Sequence, residues 1–110
     1  MANQFKVGFG REIITPPLGT LLFGYPSVRP ASAVNDDLTV NAIAFEKGKE
    51  LGVMISADIC TISEDIVNKI RSLVFAETKV PEDNINFSCT HTHSGPAISG
   101  MDGWGQANTE

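Results

Sequence analysis

The sequence predicts an α/β fold: a mixed sheet built from a β-hairpin followed by a right-handed βαβ unit, forming an incomplete part of a larger domain. Three observations predict it. Two apolar-rich runs, 38–46 and 50–58, are separated only by the turn around Gly48. The second run leads through a stretch of helical spacing to a further apolar run at 84–90, and strand, helix, strand at that length is a βαβ unit with parallel strands and a right-handed crossover. After Pro96 the chain turns Gly-rich and irregular (Gly100, Gly103, Gly105) and no further element closes the fold.

The elements follow in order. Phe5, Val7 and Phe9 alternate with Lys6 and Gly8, which reads as a first strand with one buried face, extended by Ile13 and Ile14. Thr15-Pro16-Pro17-Leu18-Gly19 ends it, because two prolines remove donors and fix φ. A long loop then runs to Asp37; a segment of that length in a small domain is more often functional or docked than idle. In the strand 38–46, Leu38, Val40, Ala42 and Ala44 share one face. Lys47-Gly48-Lys49 turns the chain, with Gly48 able to take a positive φ. The strand 50–58 is nearly continuously apolar, which predicts burial on both faces. Thr61 or Ser63 caps a helix over 63–78, with Glu64 and Asp65 at its positive end. Ile66, Ile70, Leu73, Val74 and Glu77 share one face, and Lys79 and Pro81 close the helix.

Composition excludes several functions. Of 110 residues 42% are apolar, enough for a core, and the net charge of −5 argues against nucleic acid or an anionic membrane surface. No apolar run approaches the roughly 20 residues of a membrane span. The start lacks the pattern of a signal peptide, so with Met1 as the natural start the protein is expected to be cytoplasmic. Cys60 and Cys89 are too few for a disulfide scaffold and are expected to be buried free thiols, each following a strand.

Both histidines fall in Thr90-His91-Thr92-His93-Ser94-Gly95-Pro96. On a strand, His91 and His93 point the same way. Two neutral imidazoles on one face make half of a tetrahedral zinc site. The alternative is a polar strand end whose histidines hydrogen-bond to loop backbone. Parallel strands put Asp58 beside His91 at the carboxyl ends, where ligands gather in open α/β sheets. Asp58 is thus either a ligand or supporting group, or the cap of the following turn. Ser94 as a nucleophile lacks a His-acid pair and a Gly-x-Ser-x-Gly elbow. Gly24 and Tyr25 line the mouth of the site or pack with Pro26. Trp104 suits an exposed lipid or sugar face, or covers the core.

Several stretches together resemble the neutral/alkaline, non-lysosomal ceramidase family. The specific part is Cys-Thr-His-Thr-His-Ser-Gly-Pro within 84–96. Ile55-Ser56-Ala57-Asp58 and the helix after it, Val7-Gly8 to Thr15-Pro16, and Phe23-Gly24-Tyr25 support it. The resemblance covers most of residues 5–100. It implies that 1–110 is the amino-terminal portion of a catalytic domain, with 97–110 an irregular tail. It also implies a zinc (Zn2+) amidase that hydrolyses ceramide to sphingosine and a fatty acid, with His91 on the metal and His93 catalytic. The other family ligands, a histidine, a glutamate and a tyrosine, come from much later in the chain, and this sequence has no third histidine. Two histidines alone predict weak metal affinity. The expected partner is a small-molecule or lipid amide substrate, with self-association through the incomplete core open. Two other readings stand beside it: a non-catalytic scaffold or fragment of the family, and an amidase or esterase of the same fold with a non-sphingolipid substrate.

Overall fold

In the computed structural model, which describes residues 4–22 and 30–96, four strands form one sheet in sequence order: β1 (Phe5–Ile13), β2 (Thr39–Lys47), β3 (Glu50–Ala57) and β4 (Ile85–Cys89). β1–β2 and β2–β3 pair antiparallel, and β3–β4 pair parallel, with Ala57 beside Cys89. The helix α1 (Glu64–Thr78) and a 3-10 turn (Glu82–Asn84) make the crossover from β3 to β4. The hairpin, the parallel pair and the mixed sheet are those the sequence predicts. Gly48, at φ 62°, supplies the hairpin turn. Among the described residues no helix is long and apolar enough to cross a membrane.

Local chemistry sets the helix ends. Ser63, and not Thr61, caps α1 by accepting from the Ile66 amide; Lys79 ends it in a left-handed conformation, its amide on the Phe75 carbonyl. Arg71 Nε donates to the Ile85 carbonyl at 3.0 Å, which ties the helix to the start of β4.

The core lies between α1 and one face of the sheet. Val53, Ile55, Val80 and Ile85 are buried, with Val40, Ala42, Leu51, Ile70, Val74 and Phe87 packed against them. The opposite face carries no layer among the described residues, and two expectations are corrected for that reason. β1 has no buried face: Phe5, Phe9 and Ile13 are 60%, 80% and 64% exposed. β3 is buried on one face only, with Met54 52% exposed on the other. Leu73 also departs from its predicted face, lying at 61% exposed while Ile70 and Val74 reach the core. In a 3.6-residue period Leu73 falls at the margin of the apolar stripe.

The long loop is anchored where it is described. The Thr15 hydroxyl donates to Asp37 and accepts from the Leu38 amide, which clasps the loop's two ends. Leu21 bridges Pro30, and Leu22 bridges Pro96 just after the histidines. The loop thus docks on the segment that ends β4. Gly24, Tyr25, Trp104 and the 97–110 tail lie outside the described residues.

Candidate metal centre

The site forms where the parallel pair β3–β4 runs out. β4 ends at Cys89, so neither histidine is a strand residue, and strand alternation is not what aligns them. Two further backbone bonds carry the chain past the strand: the Thr90 amide to the Ala57 carbonyl and the His91 amide to the Ile59 carbonyl, each 3.0 Å. Between these anchors and the turn at 93–94, His91 adopts φ 67°. A non-glycine residue there carries strain of about 1–3 kcal/mol, which persists only where neighbours over-determine it. The turn is tight. Ser94 donates its amide to the Thr92 hydroxyl, and Gly95 is buried so close to β3 that a Cβ there would lie 3.1 Å from the Asp58 carbonyl oxygen.

The left-handed turn at His91 brings the two imidazoles edge to face, with ring centroids 5.2 Å apart. It also sets His91 against Cys60. His91 Nδ1 lies 3.1 Å from the Cys60 carbonyl oxygen and 3.3 Å from its Sγ. A carbonyl only accepts, so we assign the proton to Nδ1, which leaves the lone pair on Nε2. One of the two expectations for these histidines is seen at His91: a hydrogen bond to loop backbone orients the ring.

Among the described residues, Cys60, His91 and His93 form a group whose donor atoms all lie within 4.8 Å of one another. Sulfur and imidazole nitrogen are donors zinc takes, so the chemistry of this set fits that ion. Cys60 is buried, His93 half-buried and His91 exposed. Both cysteines are free; burial pushes the Cys60 thiol above its usual range, and burial together with the Cys60 charge does the same to Cys89. Sequence reasoning expected Cys60 to be a buried free thiol, which it is, and did not place it beside the histidines. The signal was its place at the exit of the first strand of the βαβ unit, opposite the histidines at the exit of the second. Cys89 is half-buried and belongs to β4 itself.

Asp58 does not join the group. Its Oδ2 accepts from the Thr39 amide at 2.9 Å and the Thr39 hydroxyl at 3.2 Å, which fastens the end of β3 to the start of β2. It neither caps its own turn nor hydrogen-bonds the imidazoles. Thr92 and Ser94 line a cleft of about 550 Å³ walled by Thr15, Pro16, Leu22 and Leu38; His91 and His93 do not line it.

No family model matches the chain, and no curated protein matches its sequence. Solved structures do. The chain superposes on neutral ceramidase from Pseudomonas aeruginosa with a TM-score of 0.76 at 23% identity, over 86% of this chain and 16% of that one. A ceramidase complexed with C2 matches with the same values. The chain thus spans about one sixth of the proteins it resembles (16%), and the fold it shares with them is the one that the His-Thr-His-Ser-Gly-Pro motif leads one to expect.

Proposed function

We propose that this chain is the amino-terminal portion of a zinc-dependent amidohydrolase of ceramidase type, acting on the N-acyl amide of ceramide, with His91 as metal ligand and His93 as the catalytic residue. One observation carries the reading: the His-Thr-His-Ser-Gly-Pro segment sits at the carboxyl end of β4 in a chain whose fold superposes on neutral ceramidase. Amide hydrolysis needs a strong nucleophile at neutral pH and stabilisation of the oxyanion that develops on the carbonyl. Zinc, when bound, acidifies water and polarises the carbonyl oxygen. The chain's own part is orientation and proton handling. The Cys60 carbonyl holds Nδ1–H of His91 and points Nε2 outward as the ligand atom. His93, edge to face with His91, takes a proton from the attacking water at a ring nitrogen and returns it to the leaving amine. Asp58 supports the site at a distance by fixing the end of β3 through Thr39. Ser94, which lines the cleft beside the histidine loop, is assigned to the substrate side, and Gly24 and Tyr25 are assigned to substrate contact from the sequence alone.

The test is turnover and zinc content in the full-length parent. His91→Ala is expected to abolish both. His93→Ala is expected to keep most of the zinc while losing about 10²–10⁴ in rate. The 110-residue chain alone is expected not to hydrolyse ceramide even with zinc added, because one wall of a pocket does not position a substrate. If His91→Ala kept zinc and rate, the ligand assignment would be wrong and the non-catalytic scaffold would take its place.

A further inference from the structure

We infer that the outer edge of β1 is a self-recognition surface, which takes the β1 strand of a second copy of this chain in antiparallel pairing centred on Phe9. Among the described residues nothing pairs with that edge: the sheet runs β1-β2-β3-β4, and β1 is bonded on its β2 side only. The strand is 9 residues long and holds no proline. An open edge of that kind is a template for another strand.

The backbone fixes which groups are free. The Ile14 amide donates to the Leu38 carbonyl at 2.8 Å, one step beyond the pair Ile13 and Thr39. In an antiparallel ladder inward and outward bonding alternate along the strand. The even-numbered residues of β1 therefore bond β2, while Phe5, Val7, Phe9, Arg11 and Ile13 turn their amides and carbonyls outward. A second β1 related by a two-fold axis through Phe9 satisfies all of them. It sets Phe5 against Ile13, Val7 against Arg11 and Phe9 against its own copy, and the ladder spans the whole strand.

The side chains choose the same register. Lys6, Gly8, Gly10 and Glu12 share the α1 side of the sheet, beside Glu46, Ala44, Ala42 and Val40. With the axis at Phe9, each Lys6 faces Glu12 of the second copy and each Gly8 faces a Gly10. These are the pairs that exchange no hydrogen bonds, whose Cα atoms approach to about 4.5 Å. Opposite charges there stabilise the ladder. Lys6 then lies between that Glu12 and Glu46 of its own sheet, already 3.6 Å away. On the other face Phe9, 80% exposed, meets its copy. Moving the axis by one residue in either direction shortens the ladder and parts Lys6 from Glu12. Length and charge thus agree on one register, and this complementarity of the strand with itself names the occupant.

The test is sedimentation velocity of the full 110-residue chain over a concentration series, with residue-resolved amide hydrogen exchange. The expected result is a monomer–dimer equilibrium in which the amides of Phe5, Val7, Phe9, Arg11 and Ile13 gain protection as the dimer fills. Those of Lys6, Gly8, Gly10 and Glu12 are expected to be protected already in the monomer. Glu12→Lys, which leaves the bridge from Lys6 to Glu46 in place, is expected to weaken the dimer about tenfold by setting lysines face to face at both ends of the ladder. Lys6→Glu is expected to weaken it as well, and an equimolar mixture of the two variants to form a heterodimer tighter than either variant forms alone. A monomer at every concentration would overturn the proposal. So would a dimer that Glu12→Lys leaves unchanged, or one that protects none of the outward amides of β1, because stacking of the apolar faces requires no register. The exchange pattern of the unaltered chain decides the question without any substitution.

Discussion

At the scale of single residues, His91 and Gly95 do the shaping. His91 bends the chain through a left-handed conformation immediately after β4, and Gly95 lets the returning chain lie against the end of β3. An alanine at 95 would place its Cβ 3.1 Å from the Asp58 carbonyl oxygen and 3.2 Å from Thr92 Cγ2, closer than ordinary packing. Gly95→Ala is therefore expected to cost about 1–3 kcal/mol and to lower metal affinity, because the histidine loop must lift from β3 and from Cys60. Urea unfolding and a metal titration check it; unchanged values in both would mean that the loop yields freely. The sequence brought His91 and His93 together by the wrong route. Strand alternation predicts two parallel side chains, whereas a strained turn produces an edge-to-face pair. Cys60 was legible only as a residue at the exit of a strand, because it lies 31 residues from His91 and joins it only through the register of two parallel strands.

At the scale of elements, periodicity located every strand and the helix to within a residue or two. Runs with a period of 2 or 3.6 and recognisable turn chemistry leave little freedom in where an element lies. It did not reveal which faces are covered, because an apolar face in a sequence records that something packs there and not whether that partner lies in the same stretch of chain. Helix α1 shows the consequence. None of its residues is fully buried, and it is held by Ile70, Val74, the Arg71 bond and its cap. With so little packing the cap matters. Ser63→Ala is expected to lower stability by about 0.5–1 kcal/mol, toward the lower end because the bond to the Ile66 amide is long at 3.4 Å. Denaturant unfolding monitored by circular dichroism measures it. Ser63→Asp, which can also cap, should retain the stability of the unaltered chain.

At the scale of the whole molecule, among the described residues the face opposite α1 presents Phe5, Val7, Phe9, Ile13 and Met54 to solvent, and β1 is an edge strand paired on one side only. Contiguous apolar surface beside an open strand edge favours association. The isolated chain is expected to self-associate with rising concentration in sedimentation velocity, and Phe9→Lys to shift it toward monomer; a concentration-independent monomer would contradict this. The crossover has a further consequence, in time rather than in space. Cys60 precedes α1, and His91 and His93 follow β4, so the three side chains cannot meet until the crossover has closed. The β2–β3 hairpin needs only its short turn, whereas β4 must close a loop that includes the whole helix, at a larger entropic cost and a slower rate. The meeting of Cys60 with His91 is thereby a clock for the last pairing. On refolding, the helical signal is expected to rise first and protection of the Cys60 thiol, 2% exposed in the folded chain, from a thiol reagent to appear with the docking of β4. Protection that preceded the helical signal would mean that the pairing of β3 with β4 nucleates the fold instead of completing it.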